Sequence, residues 1–218
     1  MTGPFTLRPL TGAEAASRVA ELSAVLTDCV EGGASVSFMA PLARDAADAF
    51  WRRVADGVAA GERILLVAED GGGAIVGTVQ VVLALPENQP HRGDLAKMLV
   101  HRSARRHGLG AALVRAAEDA AREAGKTLLV LDTVTGSDAE RLYARLGWVR
   151  VGVIPGYALM PDGRPCDTTY FYKSLSPLQT ATDQELRSLT GDTEGTGISG
   201  RSPSSPVSPV PPVRGPIF

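Results

Sequence analysis

Apolar positions over residues 5–175 change period repeatedly, from alternation to helical spacing and back. Residues 5–10 predict a first strand. Thr11, with Glu14 three residues on, makes a capping box. Ala15, Val19, Leu22, Val25 and Leu26 then follow at helical spacing, which predicts one helix. Residues 45–59 predict a second amphipathic helix, with Phe50, Trp51 and Val54 inward and Gly61 as its stop. Strands at 64–69 and 74–85 flank Gly71-Gly72-Gly73, the pattern of an antiparallel hairpin. After a loop at 86–90 come a strand at 94–100, a helix at 109–124 closed by Gly125, and an apolar strand at 127–133. A short helix at 138–146, stopped by Gly147, leads to strands at 148–154 and 168–173. The order β-α-α-β-β-β-α-β-α-β-β mixes hairpins with crossovers. It predicts an α/β (α+β) single domain over residues 1–176, built on a mixed, mostly antiparallel sheet with helices on both faces.

The composition changes near Ser176. Seven of the fifteen prolines fall between Pro177 and Pro216, among Ser, Thr, Gly and acidic residues. Such a stretch buries too little apolar surface to offset its ordering entropy, so residues 177–218 are expected to form a disordered tail. Its Pro-rich end is also a candidate polyproline II ligand. The formal charge of −2 and the pI of about 5.9 give no bulk electrostatic case for binding nucleic acid. No apolar run reaches the roughly 20 residues that a membrane helix needs. The start of the chain lacks a charged segment followed by an apolar one, so no signal peptide is expected. With only Cys29 and Cys166, the expectation is two reduced thiols in a cytoplasmic protein.

The chemistry concentrates in residues 97–113. A strand runs into a basic loop, then two glycines, then a helix. The first backbone N–H groups of a helix lack intrahelical partners, and the helix dipole adds positive potential there. Gly108 and Gly110 let an anion approach the main chain, while Arg102, Arg105 and Arg106 supply opposite charge. These features build a pyrophosphate site. A P-loop is excluded, because Gly125-Lys126-Thr127 has alanine at position 120 where the first glycine belongs. A Rossmann loop has a weaker claim. Leu113 stands where its third glycine belongs, although Asp132 supplies an acid at about the right distance.

Arg105-x-x-Gly108-x-Gly110 resembles the (Arg/Gln)-x-x-Gly-x-(Gly/Ala) signature with which GNAT acetyltransferases grip the pyrophosphate of acetyl-CoA. Ala139-x-x-Leu142-Tyr143-x-x-Leu146-Gly147-Trp148 looks like the Ala-x-x-Leu-Tyr-x-x-Leu-Gly-Phe block of the same superfamily. Residues 91–100, Leu131-Asp132-Thr133 and Pro155-Gly156-Tyr157-x-x-x-Pro161-Asp162-Gly163 resemble its tabtoxin-resistance-type branch. The resemblance covers about residues 5 to 175 and implies the GNAT acyl-CoA N-acyltransferase fold. It also implies acetyl-CoA as co-substrate, and direct transfer to the amine of a small molecule, such as an amino-acid-like toxin or antibiotic. Many members pair, so a homodimer is compatible with it.

The same resemblance implies the site. Met98, Leu99 and Val100 would flank the pantetheine through their backbone. Arg105, Arg106, His107, Gly108, Leu109, Gly110 and Ala111 would cradle the diphosphate. Tyr143 matches the general acid, and Asp94 and Asp132 match acidic positions from which a base could act. Both carboxylates have alternative readings, Asp132 as a turn ligand and Asp94 as a solvated strand end. The chain departs from the family at Gly136, where an Asn often contacts cofactor. Ser137 is the candidate substitute, or merely a helix cap. Tyr157 and residues 160–166 are expected to help form the acceptor site. His91, His101 and His107 lack metal-ligand spacing, so no metal is expected. A covalent route through Cys166 would need a paired base, and none is evident. Arg115, Glu118 and Arg122 are read as solvated residues on the exposed face of their helix. Three rivals stay open: a non-catalytic acyl-CoA sensor, a protein N-acetyltransferase with an open acidic groove, and a dinucleotide binder.

Overall fold

A computed structural model of the protein describes residues 5–175. The tail expected at 177–218 lies outside them. In chain order the elements are β1 (Thr6–Leu10), α1 (Gly12–Ser17), α2 (Val19–Glu31), α3 (Arg44–Ala59), β2 (Arg63–Glu69), β3 (Ile75–Val82) and β4 (Arg92–Val100). A 3₁₀ turn (Arg102–Ala104) leads to α4 (Leu109–Glu123), β5 (Leu128–Val134), α5 (Asp138–Arg145), β6 (Val149–Leu159) and β7 (Pro165–Ser174). The strands form one sheet in the order β1-β2-β3-β4-β5-β7-β6. All neighbours are antiparallel except β4 and β5, which are parallel and joined by the α4 crossover.

The sheet is covered on both faces, as the near-continuous apolar runs of β2 and β3 require. Leu65 and Val67 of β2 face α1–α3, against Leu22, Leu26 and Trp51. Leu66 and Ala68 point the other way, toward Leu113, Val114 and Ala117 of α4. A fully buried leucine such as Leu22, Leu65 or Leu113 contributes about 2 kcal/mol through its apolar area.

The structure corrects several boundaries. The single helix expected after Thr11 is two, because Arg18 leaves helical geometry at φ −109° and ψ 17°. Its guanidinium clamps Glu21, Glu69 and the Gly73 carbonyl, tying the break to the β2–β3 hairpin. β6 continues past Pro155 to Leu159. It is an edge strand with a bulge between Ile154 and Ala158, where the missing proline N–H leaves no ladder bond unmade.

Glu118 is not a solvated residue of α4. It is 4% exposed, and its carboxylate accepts the Trp148 indole N–H at 2.9 Å and Lys173 Nζ at 2.8 Å on each oxygen. Lys173 also donates to the Leu146 carbonyl at 2.8 Å. This network ties α4 to β7 and to the end of α5. Lys173→Met leaves a buried carboxylate without its counter-charge, which is expected to cost about 3 kcal/mol in a urea titration. Adding Glu118→Leu to that variant is expected to recover most of the loss. An unchanged midpoint in the single variant would mean that the ion pair does not stabilise the fold.

Candidate active site

The basic loop begins with the 3₁₀ turn, and Asp28 of α2 holds that turn in place. The Asp28 carboxylate accepts the Arg102 backbone N–H at 2.8 Å and the Arg102 Nε–H at 2.7 Å. Arg102 is therefore neutralised, and the cationic contribution to the loop falls to Arg105 and Arg106. Arg105 Nε donates to the Val100 carbonyl at 3.0 Å, which folds its guanidinium back over the end of β4. Arg106 sits at φ 65° and Gly108 at φ 77°, the two left-handed residues that turn the chain into α4. Gly108 is the N-cap of α4 and has no side chain to cap it. The consequence is a run of backbone N–H groups, from Arg106 to Ala111, with no acceptor among the described residues. His107 sits at the edge of this run, 6.3 Å from the Phe5 ring.

The two glycines do different work. A Cβ on Gly108 would meet nothing within 4 Å, so only its left-handed φ demands glycine. A Cβ on Gly110 would lie 3.2 Å from Leu142 Cδ2, so Gly110 is there for the close approach of α5 to α4. Leu109 turns its side chain into the core. Ser137 caps α5, its Oγ accepting the Glu140 N–H at 3.1 Å.

Beside this loop the sheet opens. β4 and β5 pair only at Arg92–Leu128, Gly93–Leu129 and Asp94–Val130. Past Asp94 the main chain of β4, through Met98, Leu99 and Val100, has no strand on its β5 side. β4 also carries a bulge, since Thr78 opposes Leu99 while Gln80 opposes Ala96. Lys97 takes up the extra residue at φ 49°, and its carbonyl accepts the Thr78 hydroxyl at 3.0 Å. The bulge reverses the phase of the strand: Leu95 packs on the α4 side, Leu99 on the α1–α3 side. Lys97 comes out on the α1–α3 side, where its Nζ donates to Ser37 Oγ at 3.1 Å.

Asp94, Asp132 and Tyr170 alternate with Leu95, Leu131 and Phe171, which face α4, so all three share the α1–α3 side of the sheet. Asp132 and Tyr170 are direct register partners. Asp132 is open to water at the cleft floor, yet surrounding protein removes much of its hydration. That burial raises its pKa, against an opposing pull from Lys97. Asp94 is also raised by burial, with Arg92 opposing and Asp132 adding to the shift. Asp94 Oδ2 is paired with Arg92 Nη2 at 3.1 Å, while its Oδ1 is buried without a partner. Burial lowers the Lys97 pKa, and Asp132 partly offsets this. Tyr143 comes from the opposite side of the sheet. It is 5% exposed, with its ring 5.8 Å from Trp148 and 6.2 Å from Phe171. Burial, and then the Asp132 charge, push its phenol well above its ordinary value, so it stays protonated.

The outer wall of the cleft joins distant parts of the chain. The Tyr170 hydroxyl donates to the Tyr157 hydroxyl at 2.8 Å. The segment between α2 and α3 crosses to the β6–β7 hairpin. There Ser35 Oγ donates to the Leu159 carbonyl at 2.8 Å, and the Ala40 N–H to the Pro161 carbonyl at 3.0 Å. Cys166 is buried, with Ser35 Oγ of this strap 4.0 Å from its sulfur. Among the described residues no cluster of His, Cys, Asp and Glu could hold a metal ion, and no helix is long and apolar enough to cross a membrane. Lys97, Ser37, Arg92 and Tyr170 escape a reading of the sequence alone. One signal was available for Lys97: it stands in phase with Leu95 and Leu99, where regular pleating would drive an ammonium into the core. A lysine in that phase marks a bulge.

Unpaired N–H groups behind a left-handed glycine, two flanking arginines and an opened sheet fit the diphosphate and extended arm of acetyl-CoA. The Acetyltransferase (GNAT) family model matches residues 34–148. An uncharacterized N-acetyltransferase of the hisH–hisA intergenic region of Azospirillum brasilense is 36% identical over 107 residues. That match spans 48% of this chain and 61% of the relative. Among solved structures, yncA of Salmonella typhimurium, with its cofactor acetyl-CoA, superposes with a TM-score of 0.66 at 20% identity, covering 82% of this chain and 98% of that one. A phosphinothricin acetyltransferase of Sinorhizobium meliloti in complex with acetyl-CoA gives 0.67 at 19%, covering 82% and 92%. These likenesses extend to the fold and do not single out the tabtoxin-resistance-type branch. With the family model spanning both sequence blocks, the phosphate loop and the Tyr143 helix, the chain belongs to the GNAT family of acetyltransferases.

Proposed function

We propose that the protein transfers the acetyl group of acetyl-CoA directly to the amine of a small molecule, with an amino-acid-like toxin or antibiotic as acceptor. The observation that carries this reading is the row of unpaired N–H groups from Arg106 to Ala111, opening beside the gap between β4 and β5. When bound, the thioester supplies an activated acetyl group and a thiol leaving group. The protein's own groups do the rest. Asp132 takes the proton of the acceptor amine, directly or through water, and Asp94 adds negative potential that draws the cationic amine in. Arg92 holds one oxygen of Asp94, which makes Asp132 the freer base. Tyr143 delivers a proton toward the departing sulfur. Main-chain groups of Met98–Val100 that face the gap, the Val100 carbonyl bonded to Arg105 excepted, hold the arm of the substrate. The strap from Ser35 to Ala40, bonded to the β6–β7 hairpin, favours a small acceptor over a protein in an open groove.

The test is release of free thiol from acetyl-CoA across a panel of amines, amino acids and aminoglycosides. Turnover with none of them, at intact acetyl-CoA affinity, would favour the sensor. The pH dependence checks the base. A carboxyl raised by burial loses its proton at higher pH than an ordinary aspartate. kcat/KM is therefore expected to climb with pH through that raised pKa and level off above it. Asp132→Asn is expected to lose this acid limb and to lower the plateau by about 100-fold. If the limb persists in Asp132→Asn, the base is another group, with Asp94 next in line.

A further inference from the structure

The Lys97 ammonium is not accounted for by the fold. It has three donors, and the described residues offer it one neutral hydroxyl, Ser37 Oγ at 3.1 Å, and the face of Phe50, 5.8 Å away. No carboxylate lies within ion-pair distance of it among the described residues, and Asp132 acts on it only through space. A partly buried charge without a contact counter-ion carries a desolvation cost. The backbone that presents it is costly too, for Ser37 at φ 74° and Lys97 at φ 49° are both left-handed non-glycine residues. Each such position costs on the order of 1–3 kcal/mol, and strain of this kind collects where a site needs it. Regular pleating would have turned Lys97 to the α4 side, and the bulge turns it to the cleft face that Asp94 and Asp132 share.

We propose that Lys97 anchors an anionic group of the acceptor, so that the acceptor is an amine carrying a carboxylate or similar oxyanion near its amine. The inference rests on the acetyltransferase reading with an amino-acid-like acceptor, and adds the residue that selects for the acceptor's acid group. The amine end lies toward Asp132 and the orphaned oxygen of Asp94, and the acid end completes the Lys97 donors. A dipolar acceptor satisfies both ends of the cleft. A polyamine would meet like charge at Lys97 and gain nothing there.

The experiment compares kcat/KM for the standard L-amino acids, their carboxamides, putrescine and tyramine, in the wild type, Lys97→Met and Lys97→Arg. Replacing this poorly paired ammonium by methionine of similar volume should leave the unfolding midpoint near or above that of the wild type. The wild type is expected to favour at least one amino acid over its amide by about tenfold, mainly through KM. Lys97→Met is expected to bring the acid down to the amide, with the amide changed less than about twofold, while Lys97→Arg retains part of the preference. Equal use of acid and amide by the wild type, or an equal loss on both in Lys97→Met, overturns the inference. Transfer to putrescine or tyramine but to no amino acid overturns it while leaving the acetyltransferase reading intact. Failure to bind acetyl-CoA at all removes both.

Discussion

Gly108→Asp is expected to weaken acetyl-CoA binding by more than about 100-fold while leaving a folded protein. Two effects add. Gly108 lies at φ 77°, where a side chain costs about 1 kcal/mol, although aspartate tolerates this region better than most residues. The larger effect is electrostatic. The new carboxylate would project from the N-cap of α4, beside the N–H groups proposed to receive the diphosphate. A like charge at about 4 Å costs about 4 kcal/mol at the effective dielectric of a protein surface. Gly108→Ala separates the terms. Its Cβ meets nothing within 4 Å, so only the strain remains, and a loss of about fivefold is expected. Titration calorimetry with acetyl-CoA checks both variants. Wild-type affinity in Gly108→Asp would mean that the diphosphate sits elsewhere.

Tyr143→Phe is expected to lower kcat by about 100-fold or more, with acetyl-CoA affinity unchanged. The ring contacts with Trp148 and Phe171 survive the substitution, so the core does not lose packing. What is lost is the phenolic proton that the proposed mechanism delivers to the sulfur. Because burial holds the phenol protonated across the neutral range, it is equipped to donate and not to act as a base. Single-turnover kinetics separate this loss from any change in product release. A kcat within about threefold of wild type would reduce Tyr143 to a packed aromatic, since a general acid contributes at least about 100-fold.

The turn into α4 was legible because its physics is local. A left-handed glycine, an uncapped helix start and adjacent arginines all lie within a few residues of one another. Even so, proximity in sequence overcounted the charge. Arg102 reads as a phosphate ligand until Asp28, 74 residues earlier, is seen to hold it. Glu118 failed for a related reason. Helical spacing placed it among Arg115 and Arg122, but its partners Trp148 and Lys173 come from elements 30 and 55 residues away. The residues proposed for the acceptor side were least legible. Tyr157 and residues 160–166 were expected there, and Tyr157 does meet Tyr170 at the cleft wall. Lys97 and Ser37 were not expected, because a bulge and a loop crossing join them.

Taken alone, the sequence determined the order of the strands, most of the helices, the faces they bury and the left-handed turn at Gly108 that opens α4. Each of these depends on periodicities or main-chain geometry confined to a few neighbouring residues. Tertiary structure alone decided where β4 and β5 part, which side of the sheet Lys97 emerges on, and which charges are already paired. Those outcomes depend on strand register and on contacts between residues tens of positions apart, where a shift of one residue exchanges the two faces of the sheet.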